Sequence, residues 1–148
     1  MKSKIKNVLI DLLLVMVVLL LLLLFHAGFI AGPLRAMEKE NKLYVEAYEK
    51  VSEISNTEFM NRFSLSDIYY VVKYEDELHW FNQAIDKVGK QAYMPYDNVF
   101  AKAETLGFKE SEISYGVFND KVVYALEKKG HIVFLDLESH DIVFEFGG

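Results

Sequence analysis

An apolar block from Leu12 to Phe25 dominates the start of the chain, preceded by Lys2, Lys4 and Lys6 and continued by Ala27, Gly28, Phe29, Ile30 and Ala31. A helix rising about 1.5 Å per residue needs roughly 20 apolar residues to cross a hydrocarbon core about 30 Å thick. Residues 12–32 meet that length with one polar interruption, His26, and a helix satisfies its own backbone in lipid. The pattern predicts a transmembrane anchor in contact with the bilayer, within an N-terminal segment 1–32. Three lysines precede the span, whereas Arg35 and Lys39 after it are balanced by Glu38 and Glu40. The positive-inside rule then puts the N-terminus in the cytoplasm and everything from Pro33 onward outside the cell. A cleaved signal peptide is the competing reading, but its apolar core is usually about 7–15 residues, and a cut after Gly32 would put Ile30 where a small residue is needed. Asp11 and His26 bracket the block, one near each headgroup layer.

Beyond the anchor the period changes twice. Gly32 and Pro33 predict a break at the exit from the bilayer. From about Leu34 a second helix follows, with Leu34, Met37, Tyr44, Val45, Tyr48 and Val51 at three- and four-residue steps. It ends over Ile54–Thr57 and is long enough to serve as a stalk. From Glu58 the period is two: strands are expected over Phe59–Phe63, Ile68–Tyr74, Leu78–Ala84 and Gln91–Met94, with Tyr74-Glu75-Asp76-Glu77 as a charged turn. Pro95 closes this unit. Asp97 is expected to cap a short helix carrying Val99, Phe100, Ala103 and Leu106, stopped by Gly107. Strands over Glu112–Phe118, Lys121–Glu127, His131–Leu137 and Asp141–Phe146 then follow with two- to four-residue connections, so neighbours should pair antiparallel as a meander covered by one helix. The expected fold class is α+β: a transmembrane helix, then two tandem helix-plus-meander modules, residues 33–94 and 95–148.

Charge and cysteine content narrow the function classes. The chain has 16 Lys and Arg against 22 Asp and Glu; setting aside Lys2, Lys4, Lys6 and Asp11 leaves 13 against 21, a net charge of −8. Nucleic acid is a poor partner for so acidic a domain. With no cysteine, the chain can form no disulfide, thiolate nucleophile or thiolate metal site, and no lipid can be carried on a cysteine. Packing must hold the exterior part together, and nine Tyr, eleven Phe and one Trp supply the filling.

The order of elements, with the residues that carry it, resembles the YpmB/TseB-type cell wall elongation regulators of Gram-positive bacteria. The matching stretches are Tyr69-Tyr70-Val71-Val72-Lys73, Leu78-His79-Trp80-Phe81, Lys102-Ala103-Glu104 with Leu106-Gly107-Phe108, and Val133 to Val143. The resemblance covers nearly the whole chain. It implies two cystatin-like modules, the second related to the PepSY domain, and a class A or class B penicillin-binding protein as partner. Where the family's closing turn reads Thr-Gly, this chain has Ser139-His140, and a looser turn is expected. PepSY domains also occur in protease propeptides, so the alternative the resemblance offers is a peptidase inhibitor or chaperone at the outer face of the membrane.

The residues offer little chemistry. His79 alternates with Trp80 on a strand, where a partly buried structural histidine is the expected role. His131 and His140 flank a hairpin holding Asp136 and Glu138 and could gather at one end of a sheet, but the spacing matches no zinc pattern, so no metal or cofactor is expected. Glu75, Asp76 and Glu77 read as a solvated turn; glycosidase carboxyls must face one another across about 5–10 Å. Ser64 and Ser66 read as a turn, and no enzyme activity is expected. What remains is binding surface. Tyr69, Tyr70, Tyr74, Trp80, Phe81 and Tyr93 exceed what one module face hides easily; packing between modules is the bland explanation, and a partner surface over Tyr69, Tyr74, Trp80, Phe81 and Tyr93 the functional one.

Overall fold

A computed structural model describes residues 2–148, with side chains from Val8 onward; the side chains of Lys2, Lys4 and Lys6, on which the predicted orientation leans, lie outside the described residues. Helix α1 spans Lys2–Phe25, a π-helical turn spans His26–Ala31, and α2 spans Gly32–Ser52. From Val8 to Phe25 every residue is exposed, and the helix from Val8 onward is long and apolar enough to cross a membrane. The predicted break at Gly32-Pro33 does not occur. Proline lacks an N–H and its ring collides with the carbonyl four residues earlier, which would kink a regular helix. Here the Gly32 N–H donates to the Ala27 carbonyl, five residues back. The wider turn admits the proline, and the helix runs on.

Two compact units divide between Lys42 and Leu43. The second contains eight strands in two antiparallel meanders: β1 (Glu58–Ser64), β2 (Ile68–Tyr74), β3 (Glu77–Asn82) and β4 (Val88–Ala92), then β5 (Ile113–Phe118), β6 (Lys121–Lys128), β7 (His131–Asp136) and β8 (Ile142–Phe146). β2 has the expected bounds. β4 begins three residues before the expected Gln91. Its first positions, Val88-Gly89-Lys90, lack an apolar alternation because Gly89 is kept bare for the Trp80 ring: a Cβ there would lie 2.6 Å from the indole Nε1. Between the sheets a 3-10 turn over Tyr96–Val99 leads into α3, Phe100–Thr105. Asp97 sits inside that turn and makes no side-chain cap; the entry residues are Pro95 and Val99. Gly107, at φ +80°, ends α3 as expected.

Register fixes what each face does. In the first sheet Val71 pairs with Trp80 and Tyr69 with Asn82, whereas Tyr70 pairs with Phe81 and Val72 with His79. The Tyr70–Val72–Phe81 face receives the end of α2: the Tyr48 ring stacks on Phe81 at 4.2 Å and Tyr44 on Tyr70 at 5.2 Å. The opposite face, with Phe63, Val71 and Trp80, joins a core that continues through Val123, Ala125 and Phe134 of the second sheet. Phe63 meets Phe134 edge-on at 5.5 Å and lies against Gly116. The other face of the second sheet is covered by the α3 segment, through Val99, Ala103 and Phe108. One helix was expected to cover the second meander; the first sheet does half of that work, so the two meanders share one core.

Polar stitches close the seam between the sheets. The Asn61 side-chain amide donates to the Tyr115 carbonyl at 2.6 Å and accepts from the Tyr115 N–H at 3.2 Å, standing in for a neighbouring strand. The Gln91 carbonyl oxygen accepts from the Val122 N–H at 3.2 Å. The closing turn at Ser139-His140 is also tight, contrary to expectation. Asp136 accepts from the N–H groups of Glu138 and Ser139 at 2.9 and 3.0 Å, and His140 adopts φ +57°, a left-handed conformation in which histidine is among the better tolerated non-glycine residues.

Candidate functional site

The five aromatic residues read as a partner surface separate into two groups. Tyr69, Trp80 and Phe81 lie in the core, with Phe81 fully buried and Trp80 only 4% exposed, so their rings are not available at the surface. Both faces of the first sheet are covered, by α2 and by the second sheet, which is why its central strands β2 and β3 are apolar on both sides. Tyr74 and Tyr93 are half-buried and sit at one end of the first sheet, Tyr74 at the end of β2 and Tyr93 just past β4. The turn between β2 and β3 lies between them: the Tyr93 N–H donates to the Asp76 carbonyl at 2.9 Å, and Glu75 is left-handed at φ +52°.

Around that end the structure gathers a polar cluster. The Lys73 ammonium lies 4.3 Å from the Tyr93 ring centre, a cation–π contact. On the other face His79, 8% exposed, is hydrogen-bonded through Nδ1 to the Tyr48 hydroxyl of α2 at 2.9 Å, and its ring meets Tyr74 edge-on at 5.8 Å. The second imidazole nitrogen, Nε2, is buried without a hydrogen-bond partner, although Glu77 Oε2 stands 3.4 Å away. That contact has the separation of an ion pair but not the geometry of a hydrogen bond. The same Glu77 oxygen receives the Lys90 ammonium at 3.0 Å, and this bond holds the Glu77 carboxyl below its usual range. The cluster therefore joins α2, β2, β3 and β4 through one buried imidazole.

No group of three or more metal-ligating side chains gathers among the described residues. His131 opens β7 and His140 lies in the turn beyond its far end, so the length of that strand, about 17 Å at 3.3 Å per residue, stands between them. His131 is bonded to Glu145 at 2.9 Å, and His140 lies edge-on to Tyr124 at 5.8 Å. Glu75 and Asp76 are exposed in their turn, as expected; Ser64, the last residue of β1, and Ser66, in the loop after it, are exposed too.

The chain matches no family model, no curated protein and no solved structure.

A second tyrosine group lay outside the sequence reading. Tyr115 donates its hydroxyl to the Met94 carbonyl at 2.6 Å and Tyr124 to the Pro95 carbonyl at 2.9 Å, while Tyr96 stacks on Tyr115 at 4.4 Å. These rings pin the connection between the sheets. Burial pushes the hydroxyls of Tyr96 and Tyr124 up to about 12 and that of Tyr115 higher still. The available signal was the spacing itself: Tyr115 and Tyr124 become a directly paired couple once β5 and β6 are joined by the two-residue Asn119-Asp120 turn.

Proposed function

We propose that this chain is a non-catalytic, single-pass regulator of cell wall synthesis. Its helix crosses the cell membrane with the N-terminus in the cytoplasm, and its two sheets, as cystatin-like modules, act outside and contact a penicillin-binding protein. The observation that carries the reading is the continuous helix from Val8 to Ser52, apolar and exposed at its start and docked by Tyr44 and Tyr48 onto the first sheet at its end. An anchor built into the same helix as a docking element favours a protein whose position is part of its action. Tethering raises the encounter rate with another membrane-bound protein without tight intrinsic affinity. The resemblance to wall elongation regulators supplies the partner class. Tyr74 and Tyr93, the two aromatic candidates that remain half-exposed, are the contact residues this reading favours.

Crosslinking and mass spectrometry on intact cells tests it. A penicillin-binding protein is expected among the crosslinked partners, with yield reduced by Tyr74→Ala and Tyr93→Ala together. Recovery of secreted peptidases alone would favour the inhibitor or chaperone reading and overturn this one. Deletion of residues 1–32 with export of the remainder should abolish regulation; full rescue by that soluble form would refute the tethering step.

A further inference from the structure

We infer that His79 is an acid-responsive clamp between α2 and the first sheet. Three observations carry this. The imidazole is buried at the junction of four elements; one nitrogen is bonded to Tyr48 of α2; and the other is buried and unpaired while a carboxylate stands 3.4 Å from it. A buried polar atom without a partner costs free energy, so the neutral imidazole leaves the site incomplete in either tautomer. With the proton on Nε2, the N–H points poorly at Glu77. With it on Nδ1, an Nε2 lone pair faces a carboxylate.

Protonation completes the set. Uptake of one proton from solvent leaves Nδ1–H donating to the Tyr48 oxygen, while the positive ring and the Glu77 carboxylate attract one another across 3.4 Å as an ion pair. The groups facing the ring are Tyr48 from α2, Tyr74 from β2, Glu77 from its own strand and Lys90 from β4, where Lys90 is the cross-strand neighbour of His79. Lys90 opposes the new charge, but it is already neutralised by Glu77 at 3.0 Å and its side chain is 64% exposed, so solvent screens it. A proton on His79 therefore tightens the grip of the sheet on the segment Leu43–Ser52. This clamp stands whether or not the partner is a wall-synthesis enzyme.

Hydrogen exchange on the full chain in lipid nanodiscs tests the clamp. The readout is the protection factor of amides in Leu43–Ser52 divided by that of amides in β6, which cancels changes in global stability and in intrinsic exchange chemistry. Between about pH 7.5 and 5.5 that ratio is expected to rise about three- to tenfold in the natural protein, the range of one ordinary net polar contact. His79→Gln should be flat, and Glu77→Gln, which keeps the histidine but removes the carboxylate, should reverse the sign because burial then penalises the charge. A falling or unchanged ratio in the natural protein overturns the clamp on its own, without any variant. An equal rise in His79→Gln also overturns it, since another group would then be responsible.

Discussion

Replacing Gly89 by alanine is the sharpest test of how the first sheet is packed. Gly89 lies opposite Trp80 on β4, and a methyl group there would stand 2.6 Å from the indole Nε1 and 2.7 Å from Cε2 and Cζ2. Ordinary contact begins at about 3.4 Å, so the ring must move by most of an ångström. It has little room: Tyr69 meets it edge-on at 5.8 Å and Val71 is its cross-strand neighbour. Overpacking of this kind costs about 1–3 kcal/mol, while alanine recovers about 0.5–1 kcal/mol by restricting the unfolded chain. The net expectation is a loss of about 1–2 kcal/mol. Trp80 is the only tryptophan, so its emission reports both the equilibrium and the site. Denaturant titration of the detergent-solubilised full chain should show an earlier midpoint, together with shifted native emission. Gly130→Ala is the control: φ is +78° and a Cβ there meets nothing within 4 Å, so only backbone strain is added and the emission should not move. Unchanged stability and unchanged emission in Gly89→Ala would refute the packing of the indole on this glycine.

Other perturbations reach different parts of the fold. Tyr48→Phe removes the hydroxyl bonded to His79 Nδ1 and leaves a buried imidazole nitrogen unpaired, for an expected loss of about 1–3 kcal/mol in the same titration. At alkaline pH, the unfolded tyrosines ionise near pH 10 while Tyr96 and Tyr124 hold their protons to about 12; stability should be intact below pH 10 and fall from there towards 12, with tyrosinate absorbance appearing together with loss of structure. Asp136 has the opposite sign. The Ser139 and Glu138 N–H groups lower its folded pKa, so its contribution is present above the usual carboxylate range and is lost as pH falls through the lowered value. The stability gap between the natural protein and Asp136→Asn, about 1 kcal/mol for a capping carboxylate, should close on acidification.

Much of the fold was legible because the turns announce themselves. Asn119 and Asp120, both left-handed at φ +49° and +58°, make the two-residue connection that their types favour, and the strands on either side pair antiparallel as expected. Three features were not legible. The π-helical turn replaces a break that Gly32-Pro33 would ordinarily cause, because one shifted hydrogen bond is not written in residue type. The start of β4 was hidden by the glycine that makes room for Trp80. The aromatic excess of the first sheet was read partly as surface, since a strand covered on both sides has the same composition as one with an apolar face left open; only the register shows that α2 takes one side and the second sheet the other. The cluster around His79 was half visible. A histidine within a strand signalled burial, but its bond to Tyr48 spans 31 residues of sequence and needed the helix to be docked.

The seam between the sheets also sets an order of events at the ribosome. The first meander is complete once Ala92 has been made, yet the apolar side bearing Phe63, Val71 and Trp80 has no cover until β5 and β6 follow, 36 residues later at Lys128. At synthesis rates of about 5–20 residues per second, that side waits roughly 2–7 s for its mate. Contacts such as that of Asn61 with Tyr115, 54 residues apart, cannot form during the wait. Nascent chains shorter than about Lys128 should therefore be sticky and protease-sensitive, and folding of the outer unit should complete late and in one step.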